Sequence, residues 1–481
     1  MSRYRNSYRF NAAYLYERKR RKRRQRLLLH ASLSFIFLGI FALGFNRVVA
    51  YEAQIQRQSF TIAGKLPVTV LKLQPIGGDT SLVAIVAHGF SGSKELMTSY
   101  GVELARAGIT TYLFDFPGHG ESPTTLPTND YTQNGAVNQQ TLDEVVNYSR
   151  SHNNATTHPR IVLLGHSMGS AAVGDYVMAH PGTPDLLATI LVSPVGQEYP
   201  TTTWPRNLLL LVGQNDLPET IPDSRRMLQE GCNLPQTLAQ NSDTFECGNP
   251  TNGTARRLVI LPNLNHITIL NASNAFQETL QWLQHIDPNT VSTGQLQSNT
   301  RLFWLGFGVV GILLAIFSLG TLLLEFFQVN SDPHSVKGRH LLIFYPALLI
   351  GIGATLVILH FWQPFSFLHA LLTDYLGGYF FFVAVCMSLL IFAIRRFLPL
   401  PSSRQLVGQV FVGLLLAVIL YFTLGNLLTF AWERFLLTPA RLWRLGVLFL
   451  LLLPIFLLDE GINRGYRERG PVRALFFSLF F

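Results

Sequence analysis

Six apolar runs bracket one stretch of ordinary composition, and this arrangement limits what the chain can fold into more than any other feature. Leu27–Phe45 precedes that stretch, and Leu302–Leu324, Leu341–Leu359, Leu376–Ile394, Leu406–Phe430 and Leu442–Leu458 follow it. Each run approaches the ~20 residues an α-helix needs to cross a bilayer, the last being the weakest because it is short. The pattern predicts six spans, with a separately folded domain over residues 46–287 between the first two and a polar Gly/Ser/Thr/Gln linker over 288–300. The five-span region then covers 301–458, and a tail covers 459–481.

The charge distribution orients these spans. The chain carries 37 Lys and Arg against 28 Asp and Glu, a net +9, which alone would admit a nucleic-acid partner. Residues 1–26, however, hold eleven of the bases and one Glu, and the other 455 residues sum to −1. Eight bases crowd into Arg18–Arg26, directly before Leu27. A basic cluster abutting a span marks a cytoplasmic end and can touch anionic lipid, so a membrane surface is the expected partner and nucleic acid is not. Leu27–Phe45 reads as an uncleaved signal anchor: the leader is long, and the apolar run exceeds the ~7–15 residues of a signal-peptide core. Val48-Val-Ala50 is the cleavage site the alternative would use.

With the N-terminus inside, the inner connections carry Lys337 and Arg339, then Arg395, Arg396 and Arg404, then Arg464, Arg467, Arg469 and Arg473. The outer connection His360–Tyr375 has no Lys or Arg, while Ala431–Arg441 holds Glu433, Arg434 and Arg441 and is ambiguous. Both termini are therefore expected in the cytoplasm, and the 46–287 domain outside it. Ionisable residues within the spans are few. His30, Glu325 and Arg444 sit at span edges where side chains snorkel, and His360 and His369 flank an outer connection with the belt-like aromatics Trp362 and Phe365. The five spans thus read as an anchor or a lipid-facing platform, not a transport path.

Within the bracketed domain, residues 161–169 read Ile-Val-Leu-Leu-Gly-His-Ser-Met-Gly. A buried-strand run breaks into G-x-S-x-G at Gly165, Ser167 and Gly169, and a helix-like stretch, Met168–His180, follows. A sharp strand-to-helix turn lifts a serine hydroxyl clear of the chain, and its strain and close backbone approach require small residues on either side. Two further apolar runs end in the groups such a serine needs. Asn207–Val212 leads through Gly213 to Asp216, and Arg257–Leu261 leads to His266. The order serine, acid, histidine along strand ends suits His266 as general base and acid, with Asp216 orienting its imidazole. Asp243 and Glu246 are the competing carboxylates in the interval.

Ser81–Ala87 is a strand that ends in His88-Gly89-Phe90, followed by a Gly/Ser-rich turn. The backbone N–H groups of Phe90 and Met168 are the natural pair to hold an oxyanion. His88, Asp115 and His119 precede the serine and read as loop-shaping residues. Cys232 and Cys247 are the one cysteine pair outside the spans, and an exported domain makes a disulfide between them chemically reasonable; Cys386 lies in an apolar run. No metal-ligand spacing or phosphate-cradling glycine loop is present, so no cofactor or metal is expected.

On His88-Gly-Phe, Asp115-Phe-Pro-Gly-His-Gly-Glu-Ser and Gly165-His-Ser-Met-Gly, the chain from about Gln58 to Ile286 resembles the α/β-hydrolase superfamily, specifically its lysophospholipase, monoacylglycerol lipase and serine-aminopeptidase branch. The resemblance implies an eight-stranded, mostly parallel sheet, Ser167 as nucleophile, His266 as base and water as second substrate. That branch carries a helical cap after the strand that here reads Leu187–Val195. Only Gly196–Arg206 separates it from the next strand, so a large cap is absent and an open site is expected; the extra length lies between Asp216 and His266, opening on a helix-like Pro218–Glu230. The expected activity is hydrolysis of a small-molecule or lipid acyl ester. An amidase or peptidase would use the same atoms, and a non-catalytic sensor domain, or a transporter bundle with this domain as accessory, stands in another class.

Overall fold

A computed structural model describes residues 2–126, 131–156, 158–196, 199–234, 243–289, 299–328, 341–368, 372–392 and 403–466. Lys337, Arg339, Arg395, Arg396, Arg467, Arg469, Arg473, His369 and most of the 288–300 linker lie outside the described residues.

The apolar runs of the central segment become strands of one sheet: β1 (Ile55–Ile62), β2 (Val68–Pro75), β3 (Leu82–Ala87), β4 (Thr110–Phe114), β5 (Arg160–His166), β6 (Leu186–Val192), β7 (Leu208–Asn215), β8 (Thr244–Cys247) and β9 (Arg256–Asn265). Their order is β1-β2-β4-β3-β5-β6-β7-β9-β8. The six strands from β4 to β9 in that order run parallel, and β1, β2 and β8 add antiparallel edges. Parallel strands are apolar throughout because helices cover both faces of the sheet. Alternate residues face opposite ways: Leu82, Ala84 and Val86 enter one core while Val83, Ile85 and Ala87 enter the other. The first core is closed by α2 (Thr98–Arg106) and α6 (Ser273–Ile286), the second by α3 (Tyr131–Ser151), α4 (Met168–Ala179) and α5 (Thr220–Cys232).

The sheet has nine strands where the resemblance implied eight. β8 is only four residues long, too short to give a readable period, and is secured from outside itself. Glu246 of β8 pairs with Arg257 of β9 at 2.9 Å, and Cys247 is disulfide-bonded to Cys232 at the end of α5. Among the described residues no helix lies between β6 and β7, as the short Gly196–Arg206 connection requires.

The remaining helices are α1 (Ser2–Tyr51), α7 (Arg301–Phe326), α8 (Leu341–Phe361), α9 (Leu372–Phe392), α10 (Ser403–Ala431) and α11 (Leu442–Tyr466). α1 continues unbroken through the basic leader, where Arg, Lys and Gln are good helix formers and neither Gly nor Pro occurs before Gly39. Among the described residues, three helices are long and apolar enough to cross a membrane: Tyr16–Tyr51, Arg301–Phe326 and Val407–Ala431. Leu348–Phe361, Tyr375–Leu389 and Leu442–Phe456 are shorter apolar segments.

The chain divides into two compact units. One comprises Leu33–Ile316 with Val418–Leu436, and the other Met1–Ser32, Phe317–Ala417 and Leu437–Phe481. The first is larger than the 46–287 interval because helix ends join it. Val48, Leu305, Leu427, Leu428 and Ala431 form one cluster, and α1 and α7 touch so closely that a Cβ on Gly44 would lie 2.6 Å from Gly308 N. The buried Arg301 guanidinium pairs with Glu52 at 2.6 Å, and Glu52 pairs with Arg57 at 2.6 Å. In the second unit, Arg23 donates to the Glu325 and Phe326 carbonyls at the end of α7, a cation at a helix C-terminus, and Arg26 pairs with Glu325 at 3.2 Å. Val383, Ala384, Met387 and Ile455 pack α9 against α11.

Candidate active site

β3 and β5 are neighbours whose helical connections leave to opposite faces of the sheet, the kind of switch point beyond whose carboxyl ends open α/β sheets place their sites. Ala87 is in register with Gly165, so the His88–Phe90 loop and the turn at Ser167 emerge side by side. Ser193, Asp216 and His266 follow β6, β7 and β9 along the same edge of the sheet.

Ser167 sits at φ 53°, ψ −122°, a conformation side chains rarely occupy, directly before the first residue of α4. The glycines around it answer to contact distances. A Cβ on Gly165 would collide with Gly169 O, and one on Gly169 would stand 2.5 Å from Ala87 O. His266 Nε2 lies 2.9 Å from Ser167 Oγ, and His266 Nδ1 lies 2.7 Å from Asp216 Oδ1. The three side chains therefore form one hydrogen-bonded chain from a half-buried hydroxyl to a fully buried carboxylate.

Asp216 accepts two further hydrogen bonds, from Ser193 Oγ to Oδ2 at 2.6 Å and from Leu217 N–H to Oδ1 at 2.7 Å. Burial pushes its carboxyl up, but the donors from His266, Ser193 and Leu217 outweigh that and hold it below the usual carboxylate range. Ser193 and His166 are partners the sequence reading did not single out. His166 Nε2 donates to the His266 carbonyl at 2.9 Å, fixing the loop that carries the imidazole. Burial, with His266 beside it, lowers the His166 pKa to about 4, so it stands neutral as a donor. Only its place inside the pentapeptide could have drawn attention to it.

Met168 directly follows Ser167, and Phe90 follows Gly89, whose backbone approaches the serine. Met168 N–H, at the start of α4, is one of the helix's unpaired amides, and the Phe90 N–H has no acceptor among the described residues. A Cβ on Gly89 would stand 2.7 Å from His166 Nδ1 and 3.2 Å from Ser167 Cβ; glycine there lets the Phe90 loop close onto the serine. His88 is buried, donates from Nδ1 to Gly89 O at 2.8 Å and accepts from Phe116 N–H at 3.1 Å. Burial, together with the neighbouring His119, lowers its pKa to about 3. Both ring nitrogens are committed to the loop.

Asp115 is equally buried. It accepts from Lys94 N–H (2.7 Å), Lys94 Nζ (2.7 Å), Thr69 Oγ1 (2.9 Å) and Glu121 N–H (2.9 Å). Burial raises its carboxyl, and Lys94 and His88 pull it below the ordinary range. Lys94 also reaches Glu121 at 2.7 Å and Glu95 at 3.2 Å. Asp243 pairs at 3.9 Å with Arg225, and Glu246 with Arg257, so neither competing carboxylate is offered to His266 among these contacts. Phe90, Leu217 and Ile267, next in sequence to Gly89, Asp216 and His266, are exposed.

The end of α10 adds what no sequence pattern indicated. Ser93 Oγ donates to Glu433, and Arg434 pairs with Glu121 at 2.7 Å. Burial pushes the Glu433 carboxyl up, against the hydrogen bond from Ser93.

Residues 78–259 match the family model described as serine aminopeptidase, S33. The match supports the α/β-hydrolase superfamily for the sheet-bearing segment, and a hydrolase. No curated protein matches the chain. Among solved structures, the chain is similar to a dienelactone hydrolase from Anabaena variabilis ATCC 29413 (19% identity, 50% of this chain and 100% of that one, TM-score 0.33). It is also similar to an esterase from Pyrococcus furiosus (14% identity, 48% and 92%, TM-score 0.34) and to an alpha-beta serine hydrolase homologue from Coxiella burnetii (16% identity, 48% and 97%, TM-score 0.33).

Proposed function

We propose that the protein is a membrane-tethered serine hydrolase that cleaves carboxylic acyl esters outside the cytoplasm. The observation that carries this reading is the continuous Asp216–His266–Ser167 chain of hydrogen bonds, at 2.7 and 2.9 Å, ending on a serine held at positive φ. In the mechanism, Ser167 Oγ attacks the acyl carbon as its proton passes to His266 Nε2. The imidazolium is stabilised through Nδ1–H by Asp216, which Ser193 and Leu217 hold in place. The negative charge that forms on the carbonyl oxygen is met by the Phe90 N–H of the loop after β3 and by the Met168 N–H at the positive end of α4. His266 then protonates the departing alkoxide, leaving an acyl ester on Ser167. Water, deprotonated by the same nitrogen, releases the acid and restores the serine. The exposed Phe90, Leu217 and Ile267 favour an apolar acyl group at the mouth.

The tethering rests on α1 and the apolar helices after Arg301, and the orientation on the eight bases before Leu27. In this reading 1–26 and 459–481 are cytoplasmic, 27–45 is the anchor, 46–287 the hydrolase domain, 288–300 a linker and 301–458 five spans. An amidase or peptidase is the second reading, favoured by the description of the matching family model. A fluorophosphonate probe should label wild type and not Ser167→Ala, and a panel of short and long esters against amides should show ester turnover. Labelling that persists in Ser167→Ala would overturn the site. Turnover confined to amides would select the second reading, and protease protection of residues 46–300 in intact cells would refute export.

A further inference from the structure

Resting on the reading of Ser167 as nucleophile, we infer that Glu433 is a positioning residue for the reaction, acting through Ser93 on the loop that carries the Phe90 N–H. The loop from His88 to Lys94 is fixed at its start by the two hydrogen bonds of the buried His88 ring, and at its end by Lys94 on Asp115. Between these points stands Ser93, a buried hydroxyl whose partner comes from 340 residues away. Ser93 Oγ donates to Glu433 Oε1, and the same oxygen accepts Arg434 N–H at 2.8 Å, which holds the carboxyl in its rotamer. Arg434 in turn reaches Glu121 at 2.7 Å, the carboxylate whose other oxygen receives Lys94 Nζ at 2.7 Å. The residue pair after α10 is thus tied to this loop directly at Ser93, whose hydroxyl also accepts Arg434 N–H at 3.3 Å, and through Glu121 at Lys94. An oxyanion donor is effective only when its N–H is held where charge develops, so freeing this side of the loop weakens the transition state more than substrate binding.

The test uses the full-length protein in detergent micelles and two readouts: the second-order rate of fluorophosphonate labelling at Ser167, and kcat and KM for p-nitrophenyl butyrate. Ser93→Ala and Glu433→Ala should each slow labelling and kcat by about tenfold, with KM within about twofold, and the double variant should be no slower than the slower single. Glu433→Gln keeps an acceptor for Ser93 and should retain the wild-type rates, which loss of a merely structural carboxylate would not predict. Rates within twofold of wild type in folded Ser93→Ala, or losses that simply add in the double variant, would overturn the proposal. If Glu433→Ala fails to fold, Ser93→Ala and Glu433→Gln still decide it. An unlabelled wild type would sink the Ser167 reading itself, whereas a labelled wild type with indifferent variants would sink only this inference.

Discussion

Replacing Asp216 by Asn isolates the charge of the buried carboxylate from its geometry, because of how its hydrogen bonds are arranged. Oδ1 receives two donors, His266 Nδ1–H at 2.7 Å and Leu217 N–H at 2.7 Å, whereas Oδ2 receives the Ser193 hydroxyl at 2.6 Å. A carboxamide can place its oxygen toward the two N–H donors and its NH2 toward Ser193, whose hydroxyl rotates to accept. His266 thus keeps its tautomer and orientation, and only the negative charge is lost. At an effective dielectric of ~20, opposite charges about 4 Å apart attract by about 4 kcal/mol, and 1.36 kcal/mol is a factor of ten, so the rate should fall about a thousandfold. Asp216→Ala also leaves the donors of Ser193 and Leu217 unpaired and frees the imidazole, so it should fall at least about tenfold further. The assay is kcat/KM on p-nitrophenyl butyrate with the thermal melt recorded alongside. Asp216→Asn within tenfold of wild type, or Asp243→Asn causing the larger loss, would refute the assignment of the acid.

Gly169→Ala should destabilise by about 1–3 kcal/mol in chemical denaturation, since its Cβ would stand 2.5 Å from Ala87 O, a backbone atom that cannot step aside. Cys232→Ser opens a bridge between residues 15 apart, which on the loop-closure account is worth about 3 kcal/mol, so the denaturation midpoint should drop while Ser167 labelling persists in the cold. Asp115 has a folded-state pKa below its unfolded value. Its contribution is therefore present at neutral pH and lost as pH falls through that lowered value. Asp115→Asn should lower stability at pH 7 by about 3–5 kcal/mol, as for one partner removed from a buried ion pair, and the gap to wild type should narrow in melts taken toward pH 3.

The strands that carry the site were legible because parallel strands covered on both faces are apolar without interruption, as in Leu82–Ala87 and Leu208–Val212. The elbow was legible for a related reason: a turn that admits no Cβ at Gly165 or Gly169 leaves small residues at fixed spacing around Ser167. β1 and β8 were not legible. They are edge strands whose exposed faces carry mixed residues, and β8 is secured by a disulfide and a cross-strand ion pair instead of by its own pattern.

Apolar runs that bracket a domain of ordinary composition, a serine in a strained turn, and Asp216 and His266 after apolar runs in the order such chemistry uses could all be read from the residues alone. These are local properties, written in periodicity and spacing. Which groups touch depends on the folded chain. Ser193 meets Asp216 and His166 holds the His266 carbonyl because the strand order β5-β6-β7-β9 lines up their carboxyl ends. Glu433 meets Ser93 because the end of α10 and the residues after it pack into the same compact unit as the sheet. Contacts between residues so far apart along the chain leave no period or spacing to read, since each side chain's burial is settled by elements that approach it only once the chain has folded.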